Sequence, residues 1–237
     1  MGLHYATQLY RPDDDAHYRR LLFGLERNLS LLALEHATIF LDNCMPPWKH
    51  PLVTWINLDR RATFGDFLSV ANSNQDTSDH LLFANSDIIF DEEIGKLAEA
   101  MRQPEWVSCL TRREIDGSYP QGIDPLQTQD AWLLMKQPIP TLLLEQLHSI
   151  RLGIPGCEHL FAAAMVSHGF DLWNPCEDCH ILHNDPRPNT HEPDGQRYWG
   201  LYAYIPPCTI QDVGNSCPEV FFAYAQAPGR YYQVAIS

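Results

Sequence analysis

Residues 81–90 read LLFANSDIIF, an apolar run broken by a polar turn at Asn85–Asp87. The segment His80–Ala84 predicts a buried β-strand, because a short apolar run next to a turn is typical of a strand covered on both faces. A carboxylate at the end of such a strand can hold a hard divalent cation that bridges two phosphates. The alternative is an Asx turn, in which Asn85 and Asp87 only bond to nearby backbone amides.

Short apolar runs alternate with amphipathic stretches on both sides of this segment. The patterns predict strands at His4–Tyr10, Thr38–Leu41, Leu52–Ile56, His80–Ala84, Trp106–Thr111, Ala131–Met135 and Phe170–Trp173. They predict helices at Asp14–Leu34, Thr63–Ala71, Asp91–Met101 and Cys157–His168. This alternation predicts an α/β fold with a mostly parallel central sheet flanked by helices, and ligands bind such sheets at the carboxyl ends of the strands. The tail over about 184–237, rich in Pro, Asn and aromatic residues, is predicted to be irregular.

Length, composition and charge narrow the class of protein. The chain has 237 residues, 45% of them hydrophobic and 19% charged, which predicts one domain over 1–237 with a sizeable core. The formal net charge of −14 argues against a nucleic-acid partner, and it means that a cation would be needed beside an anionic ligand. The first residues do not resemble a secretory leader, and no window is apolar over a transmembrane length, so we expect a cytoplasmic protein without a transmembrane segment.

The chain has seven cysteines, and two of them form a C-x-x-C motif at Cys176 and Cys179, followed by His180 and His183. This pattern is compatible with a zinc site. However, a structural zinc normally joins two separated ligand pairs, and neighbouring strand positions point to opposite faces. We therefore expect free thiols and no zinc, and we favour a role for His183 alone at a catalytic metal.

Two further segments contain candidate catalytic carboxylates. Residues 153–159 read GIPGCEH and place Glu158 in the first turn of a helix, where it could accept a proton from an acceptor hydroxyl or only interact favourably with the helix dipole. The dipole is expected to favour the ionised form of Glu158 and to lower its basicity. Residues 128–132 read TQDAW, either a hairpin turn or a sugar contact through Asp130 and Trp132.

In this order, these segments resemble the glycosyltransferase-A (GT-A) superfamily, in particular its family-2-like group and a bacterial and viral subgroup of it. The motifs are R-x-T-F/Y-x-D at Arg61–Asp66, A-N-S-D-I-x-F-D at Ala84–Asp91, L-S/T-R at Leu110–Arg112, S-Q-D-x-W at Thr128–Trp132, G-I-P-G-C-D/E at Gly153–Glu158, and A/H-G-Y/F…N-P…H at His168–Phe170, Asn174–Pro175 and His183. The resemblance covers roughly residues 5–207. It implies the GT-A (nucleotide-diphospho-sugar transferase) fold and a nucleotide-sugar donor.

The resemblance also implies roles for individual residues. Asp87 stands at the final aspartate of the superfamily's D-x-D motif, so Asp87 and His183 are expected to hold Mn2+ or Mg2+, while Asn85 replaces the first aspartate. Glu158 stands at the catalytic carboxylate, with Cys157 in place of the partner acid, and Asp130 is a second catalytic candidate. The expected donor-binding residues are Tyr10, Arg11, Arg61, Thr63, Asp66, Asn85, Ser86, Asp87, Arg112 and Trp132.

The function predicted from this resemblance is inverting glycosyl transfer, in which Glu158 deprotonates a hydroxyl of a glycan or other acceptor. One alternative is a nucleotidyltransferase, which would be favoured by a glycine-rich loop after the first strand, and residues 9–12 contain no glycine. The other alternative is a catalytically silent sugar- or nucleotide-binding domain, which is compatible with the replacement of the first aspartate of the D-x-D motif by Asn85.

Overall fold

A computed structural model describes residues 2–31, 34–72, 77–121, 124–185, 197–216, 219–226 and 230–234. The strands are β1 Leu3–Tyr10, β2 Leu34–Asp42, β3 Val53–Asn57, β4 His80–Ala84, β5 Ile88–Phe90, β6 Trp106–Glu114, β7 Gln129–Met135, β8 Asp171–Trp173, β9 Ile181–His183, β10 Gly200–Tyr204, β11 Phe221–Gln226 and β12 Arg230–Val234. The helices are α1 Asp15–Leu31, α2 Phe64–Ala71, α3 Glu93–Ala100, α4 Thr141–Leu147 and α5 Cys157–Ser167. No helix among the described residues is long and apolar enough to cross a bilayer.

In the described part of the chain, nine strands form the main sheet, in the order β3-β2-β1-β4-β7-β6-β9-β5, with β8 paired to β6. The strands β3, β2, β1 and β4 run parallel to one another, as do β6, β8 and β9. Among the described strands of this sheet, β7 and β5 run in the opposite direction to the others. The predicted α/β fold with a mostly parallel sheet is therefore confirmed.

The central strand β4 is covered on both faces, as its apolar sequence predicts. Leu81 and Phe83 belong to one hydrophobic cluster, and Leu82 and Ala84 belong to the cluster on the opposite face. Successive side chains of a strand point to opposite faces, so a strand between two packed layers must be apolar at every position. Because β4 is held between two packed layers, the position of its end in the sheet is determined, and the turn Asn85–Asp87 follows directly after that end.

The prediction that Trp132 contacts the donor is wrong. Its side chain is 1% exposed, and its ring lies 4.9 Å from that of Phe64 and 5.1 Å from that of Phe83, inside the core. The register of β6 and β7 shifts at this point, because Leu110 pairs with Ala131 and Thr111 pairs with Gln129. Asp130 is the extra residue of this β-bulge, so Asp130 and Trp132 no longer share the orientation that strict alternation would give them.

Part of the C-terminal tail is regular, so the expectation of an irregular tail is wrong for the described residues. β10, β11 and β12 form an antiparallel sheet, and Tyr202 of β10 is fully buried against α5, where its ring stacks on that of His159. The contact between Tyr202 and His159 joins residues 43 positions apart, so local composition does not reveal it. The rest of the tail, residues 186–196, 217–218, 227–229 and 235–237, lies outside the described residues.

The start of α5 depends on Gly156, which has φ +88°. A Cβ atom there would collide with the hydroxyl of Tyr202 and lie 3.0 Å from the carbonyl oxygen of Tyr198. Gly156→Ala is therefore expected to lower the free energy of unfolding by about 1–3 kcal/mol, measured by urea denaturation. Gly95→Ala in α3 is the control: apart from its chain neighbours and its own helix backbone, no atom of the described residues lies within 4 Å of its Cβ position, so a gain of about 0.5–1 kcal/mol is expected. Equal stability of the two variants would contradict this packing.

Candidate active site

The candidate site lies at the edge of the sheet where β4, β6 and β9 end and the antiparallel strand β7 begins. The turn Asn85–Asp87 follows β4, while Glu114 is the last residue of β6 and His183 the last residue of β9. Asp130 is the second residue of β7, and the backbone amide of Asn85 donates to its carbonyl oxygen at 3.0 Å. Segments far apart in sequence therefore present their polar side chains at one edge, as expected for a mostly parallel sheet.

Asp87, His183 and Glu114 form a chain of contacts through the imidazole ring. Asp87 Oδ2 lies 3.3 Å from His183 Nε2, and Glu114 Oε2 lies 3.2 Å from His183 Nδ1. Burial acts to lower the pKa of His183, but the hydrogen bond and charge of Asp87 outweigh it, and the pKa is raised. Burial likewise acts to raise the pKa of Asp87, but His183 and Arg112 hold it below its usual value. Asp87 therefore carries a negative charge at neutral pH.

Arg112 supplies the positive charge nearest to Asp130 in this group. Its Nη1 lies 3.4 Å from Asp130 Oδ2, and both side chains are about nine-tenths buried. Burial opposes the charge of Arg112, yet the surrounding carboxylates raise its pKa. These carboxylates are, in decreasing order of effect, Asp130, Asp87, Glu114 and Glu158. Arg112 thus interacts electrostatically with all four of these acidic side chains.

The structure explains why an amide stands at position 85. Asn85 Nδ2 donates a hydrogen bond to Asp130 Oδ1. An ionised carboxylate cannot donate, so an aspartate at this position would face Asp130 as a like charge. Asn85, at the end of β4, therefore supplies a hydrogen-bond donor to the carboxylate of Asp130.

Asn85→Asp is accordingly expected to destabilise the protein more at pH 8 than at pH 5. Two facing carboxylates raise each other's pKa, so the folded state binds protons more readily than the unfolded state and loses stability as the pH rises. The melting temperature relative to wild type at the two pH values measures this effect. The double variant Asn85→Asp/Asp130→Asn restores one amide and one carboxylate, and it should recover most of the loss. A deficit independent of pH would contradict this interpretation.

Glu158 lies in the first turn of α5, where its Oε2 accepts a hydrogen bond from Cys157 Sγ at 3.4 Å and its Oε1 lies 3.7 Å from His159 Nε2. Burial raises the pKa of Glu158 to about 7, and the charge of Asp130 adds to the increase. The expectation that the helix dipole makes Glu158 a weaker base is therefore wrong, because burial dominates. Arg112 and Asp130 both interact electrostatically with Glu158.

The predicted donor residues near α2 are engaged in local structure. Thr63 is the N-cap of α2 and forms a capping box with Asp66. Asp66 also binds the guanidinium group of Arg60 through both carboxylate oxygens, at 2.7 and 2.9 Å. Arg61 lies near Gly153, since its Nη1 is 3.5 Å from where a Cβ atom on Gly153 would stand. Arg61 therefore adjoins the turn that leads to Glu158.

The residues at the end of β1 and directly after it contact the first turns of α1. The hydroxyl of Tyr10 lies 3.4 Å from His17 Nε2. Arg11 forms an ion pair with Asp15, and its guanidinium lies 4.2 Å from the ring centroid of Tyr18. Their contact with a nucleotide stays a prediction. Ser86 is half-buried in the turn between Asn85 and Asp87.

Some residues that connect the parts of the site have no recognisable signal in the sequence. Glu114 is one, and the segment after β9 contains others. The backbone amide of Asn184 donates to the carbonyl oxygen of Asp87 at 2.7 Å, and its side-chain amide donates to that of Arg20 at 2.9 Å. Asp185 is buried, 3.4 Å from Arg20 and 3.6 Å from His17. A histidine followed by Asn-Asp gives no local sign of these contacts with α1.

The geometry of Asp87 and His183 fits a divalent cation with few protein ligands. Adjacent ligands of an octahedral ion with bonds of about 2.1 Å are about 3.0 Å apart, close to the 3.3 Å between Asp87 Oδ2 and His183 Nε2. Within the described ranges, no group of three or more His, Cys, Asp or Glu side chains is arranged to hold a metal. A cation here would therefore take its other ligands from phosphate oxygens and water, as Mg2+ often does.

Both thiols of the C-x-x-C motif are buried, and burial raises their pKa above the ordinary value. Cys176 Sγ lies 3.8 Å from the hydroxyl of Tyr119, where the two groups form a weak hydrogen bond. That these cysteines bind no zinc stays a prediction.

No protein-family model matches the chain, and no curated protein matches it in sequence. Solved structures do match it in fold. The mannosyltransferase PcManGT from Pyrobaculum calidifontis, in complex with GDP-Man and Mn2+, aligns with a TM-score of 0.53 at 11% identity, over 79% of this chain and 58% of that one. GalNAc-T7 with UDP, GalNAc and Mn2+ aligns with a TM-score of 0.53 at 9% identity, over 77% and 43%.

S. aureus TarS in complex with UDP-GlcNAc is a third similar structure, with a TM-score of 0.53 at 11% identity, over 84% of this chain and 62% of that one. The chain thus spans less than two thirds of the length of each of these three structures. At such low identity the likeness concerns the fold, and the predicted GT-A fold is confirmed.

Proposed function

We propose that this chain, with its GT-A fold, is a glycosyltransferase that moves a sugar from a nucleotide-sugar donor to an acceptor hydroxyl, with inversion at the anomeric carbon. The single observation that carries the proposal is the Asp87–His183 pair at the carboxyl edge of the sheet, 3.3 Å apart. Its partner in the proposal is Glu158, a partly buried carboxylate whose pKa is raised to about 7. The similar structures of PcManGT and GalNAc-T7, which contain nucleotides and Mn2+, support the choice of ligands.

In this proposal Asp87 and His183 hold Mn2+ or Mg2+ against the diphosphate of the donor. The cation, when bound, supplies positive charge that offsets the charge developing on the departing nucleoside diphosphate. Arg112 adds a fixed positive charge from the chain itself, and Asp130 accepts hydrogen bonds from hydroxyls of the donor sugar or the acceptor. The same cation explains how a chain of net charge −14 binds an anionic donor.

Glu158 acts as the general base. It takes the proton of the acceptor hydroxyl, whose oxygen forms the new bond to the anomeric carbon while the bond from that carbon to the diphosphate oxygen breaks. A carboxylate with a pKa of about 7 is a stronger base than an ordinary one and is still half ionised at neutral pH. We place the nucleotide near Tyr10, Arg11 and the segment Arg61–Asp66, and the diphosphate near Asn85–Asp87.

Calorimetric titration with nucleoside diphosphates, with and without Mn2+, tests this proposal. We expect saturable binding of at least one nucleoside diphosphate that requires the cation. A nucleotidyltransferase would instead bind a nucleoside triphosphate in preference to the diphosphates. If no nucleotide binds, or if the affinity for nucleotide is the same with and without Mn2+, the proposed donor and cation site is wrong.

A further inference from the structure

Glu114 has no role in the proposed reaction, yet its carboxylate contacts one of the two proposed cation ligands. β6 and β9 run parallel, and Glu114 pairs with His183 in their register. The paired residues of neighbouring strands lie side by side on one face, so the Glu114 carboxylate meets the imidazole at Nδ1, 3.2 Å away. The other ring nitrogen, Nε2, faces Asp87 at 3.3 Å.

We propose that Glu114 is a positioning residue that sets the tautomer and the orientation of His183 for cation binding. This inference rests on the proposed function, in which Asp87 and His183 hold the cation. An imidazole binds a metal only through a nitrogen without a proton. Because Glu114 accepts a hydrogen bond from Nδ1–H, it keeps a proton on that nitrogen, so Nε2, on the side of Asp87, is the nitrogen that would release its proton and bind a cation. Carboxylates behind metal-binding histidines act in this way.

The surroundings of His183 favour this role over a direct one. The side chain of His183 is 6% exposed, and its strand β9 is paired with β5 on one side and with β6 on the other. The backbone is therefore held in place, and the ring can reorient only by rotation about the side-chain bonds of His183. Glu114 contacts the nitrogen that faces away from Asp87, so the imidazole stands between the two carboxylates. A cation held by Asp87 and Nε2 would therefore meet Glu114 only through the ring.

A double-mutant cycle on Mn2+ affinity tests the inference. Binding of Mn2+ alone, without donor, is measured from the electron paramagnetic resonance signal of the free ion. Glu114→Ala should weaken binding by about 10- to 100-fold, the loss typical of removing such a partner. In a His183→Ala background, the same substitution should change the affinity less than twofold. If Glu114 acted through its charge or as a direct ligand, its removal would weaken binding similarly in both backgrounds, and the inference would be overturned.

A conservative variant and a second measurement distinguish loss of the proposed role from misfolding of the variant. Glu114→Gln keeps an acceptor oxygen for Nδ1–H and nearly the same shape, so it should lose less affinity than Glu114→Ala at an unchanged melting temperature. Nitrogen-15 spectra of His183 in the Mg2+-loaded protein should show a proton on Nδ1 in wild type and a loss of this preference in Glu114→Ala. An unchanged tautomer would contradict the inference.

The cycle also separates this inference from the proposed function. If wild type binds Mn2+ and Asp87→Asn does not, while Glu114→Ala binds normally, only the role of Glu114 is wrong. If wild type does not bind Mn2+, or Asp87→Asn binds it equally well, the cation site and the role of Glu114 are wrong together.

Discussion

Replacement of Asp87 by asparagine is expected to abolish cation-dependent binding of nucleoside diphosphates and to lower the rate of transfer by about a thousandfold or more. The variant keeps the shape of the side chain but removes the negative charge that the contacts with His183 and Arg112 preserve in wild type. A bound cation contributes several kcal/mol to stabilising a transition state, and about 1.4 kcal/mol corresponds to each tenfold in rate. Calorimetry with and without Mn2+ and the initial rate of donor turnover measure the two effects.

Asp116→Asn is the matched control, because it removes the same charge from an exposed turn directly after β6. The carboxylate of Asp116 accepts hydrogen bonds only from Ser118 among the described contacts, so its loss should leave nucleotide binding unchanged. Equal cation responses in wild type and Asp87→Asn would show that the cation, if one is needed, binds elsewhere. Equal defects in Asp87→Asn and Asp116→Asn would point to net charge instead of a specific ligand.

The second large effect is expected at Glu158, where Glu158→Gln should lower kcat by about a hundred- to ten-thousand-fold. Glutamine keeps the shape of the side chain and cannot accept the proton of the acceptor. In wild type, the rate should rise with pH through about 7, because only the ionised carboxylate is a base and burial raises its pKa to about 7. The variant should lack this rise, and its affinity for the donor should change little.

Glu145→Gln, an exposed substitution on α4, serves as the control for Glu158→Gln and should behave as wild type. Transfer at the wild-type rate in Glu158→Gln would remove the general base from the account and leave Asp130 as the next candidate. Loss of donor binding together with rate would make Glu158 a ligand or a structural residue. The anomeric configuration of the product, read by NMR, is a separate check, since retention contradicts a single in-line displacement.

The central part of the fold could be predicted from the sequence because its signals are local. A continuous apolar run specified β4, and the polar turn after it specified where Asp87 lies relative to the sheet. The turn at Gly153–Gly156 and the apolar residues that follow likewise specified α5 and the position of Glu158 in its first turn. Both signals lie within about ten residues of the feature that they predict.

The features that could not be predicted depend on how distant strands meet. Glu114 ends β6 as an ordinary charged residue, and only the parallel register with β9 places it against His183. Because of the β-bulge at Asp130, the side chains of Asp130 and Trp132 do not point in the same direction. No residue type in the segment indicates that a bulge is present. The short strands β5 and β9, of three residues each, contain less than two full alternations, too few for a periodic signal.

Donor hydrolysis tests the proposed transferase activity most directly: release of nucleoside diphosphate from a panel of nucleotide sugars is assayed with wild type and Asp87→Asn, with and without Mn2+. We expect that wild type releases the nucleoside diphosphate from at least one donor, that release requires the cation, and that Asp87→Asn is inactive on the same donor. Absence of release from every donor, or release that proceeds equally well without Mn2+ or in Asp87→Asn, would contradict the proposed activity.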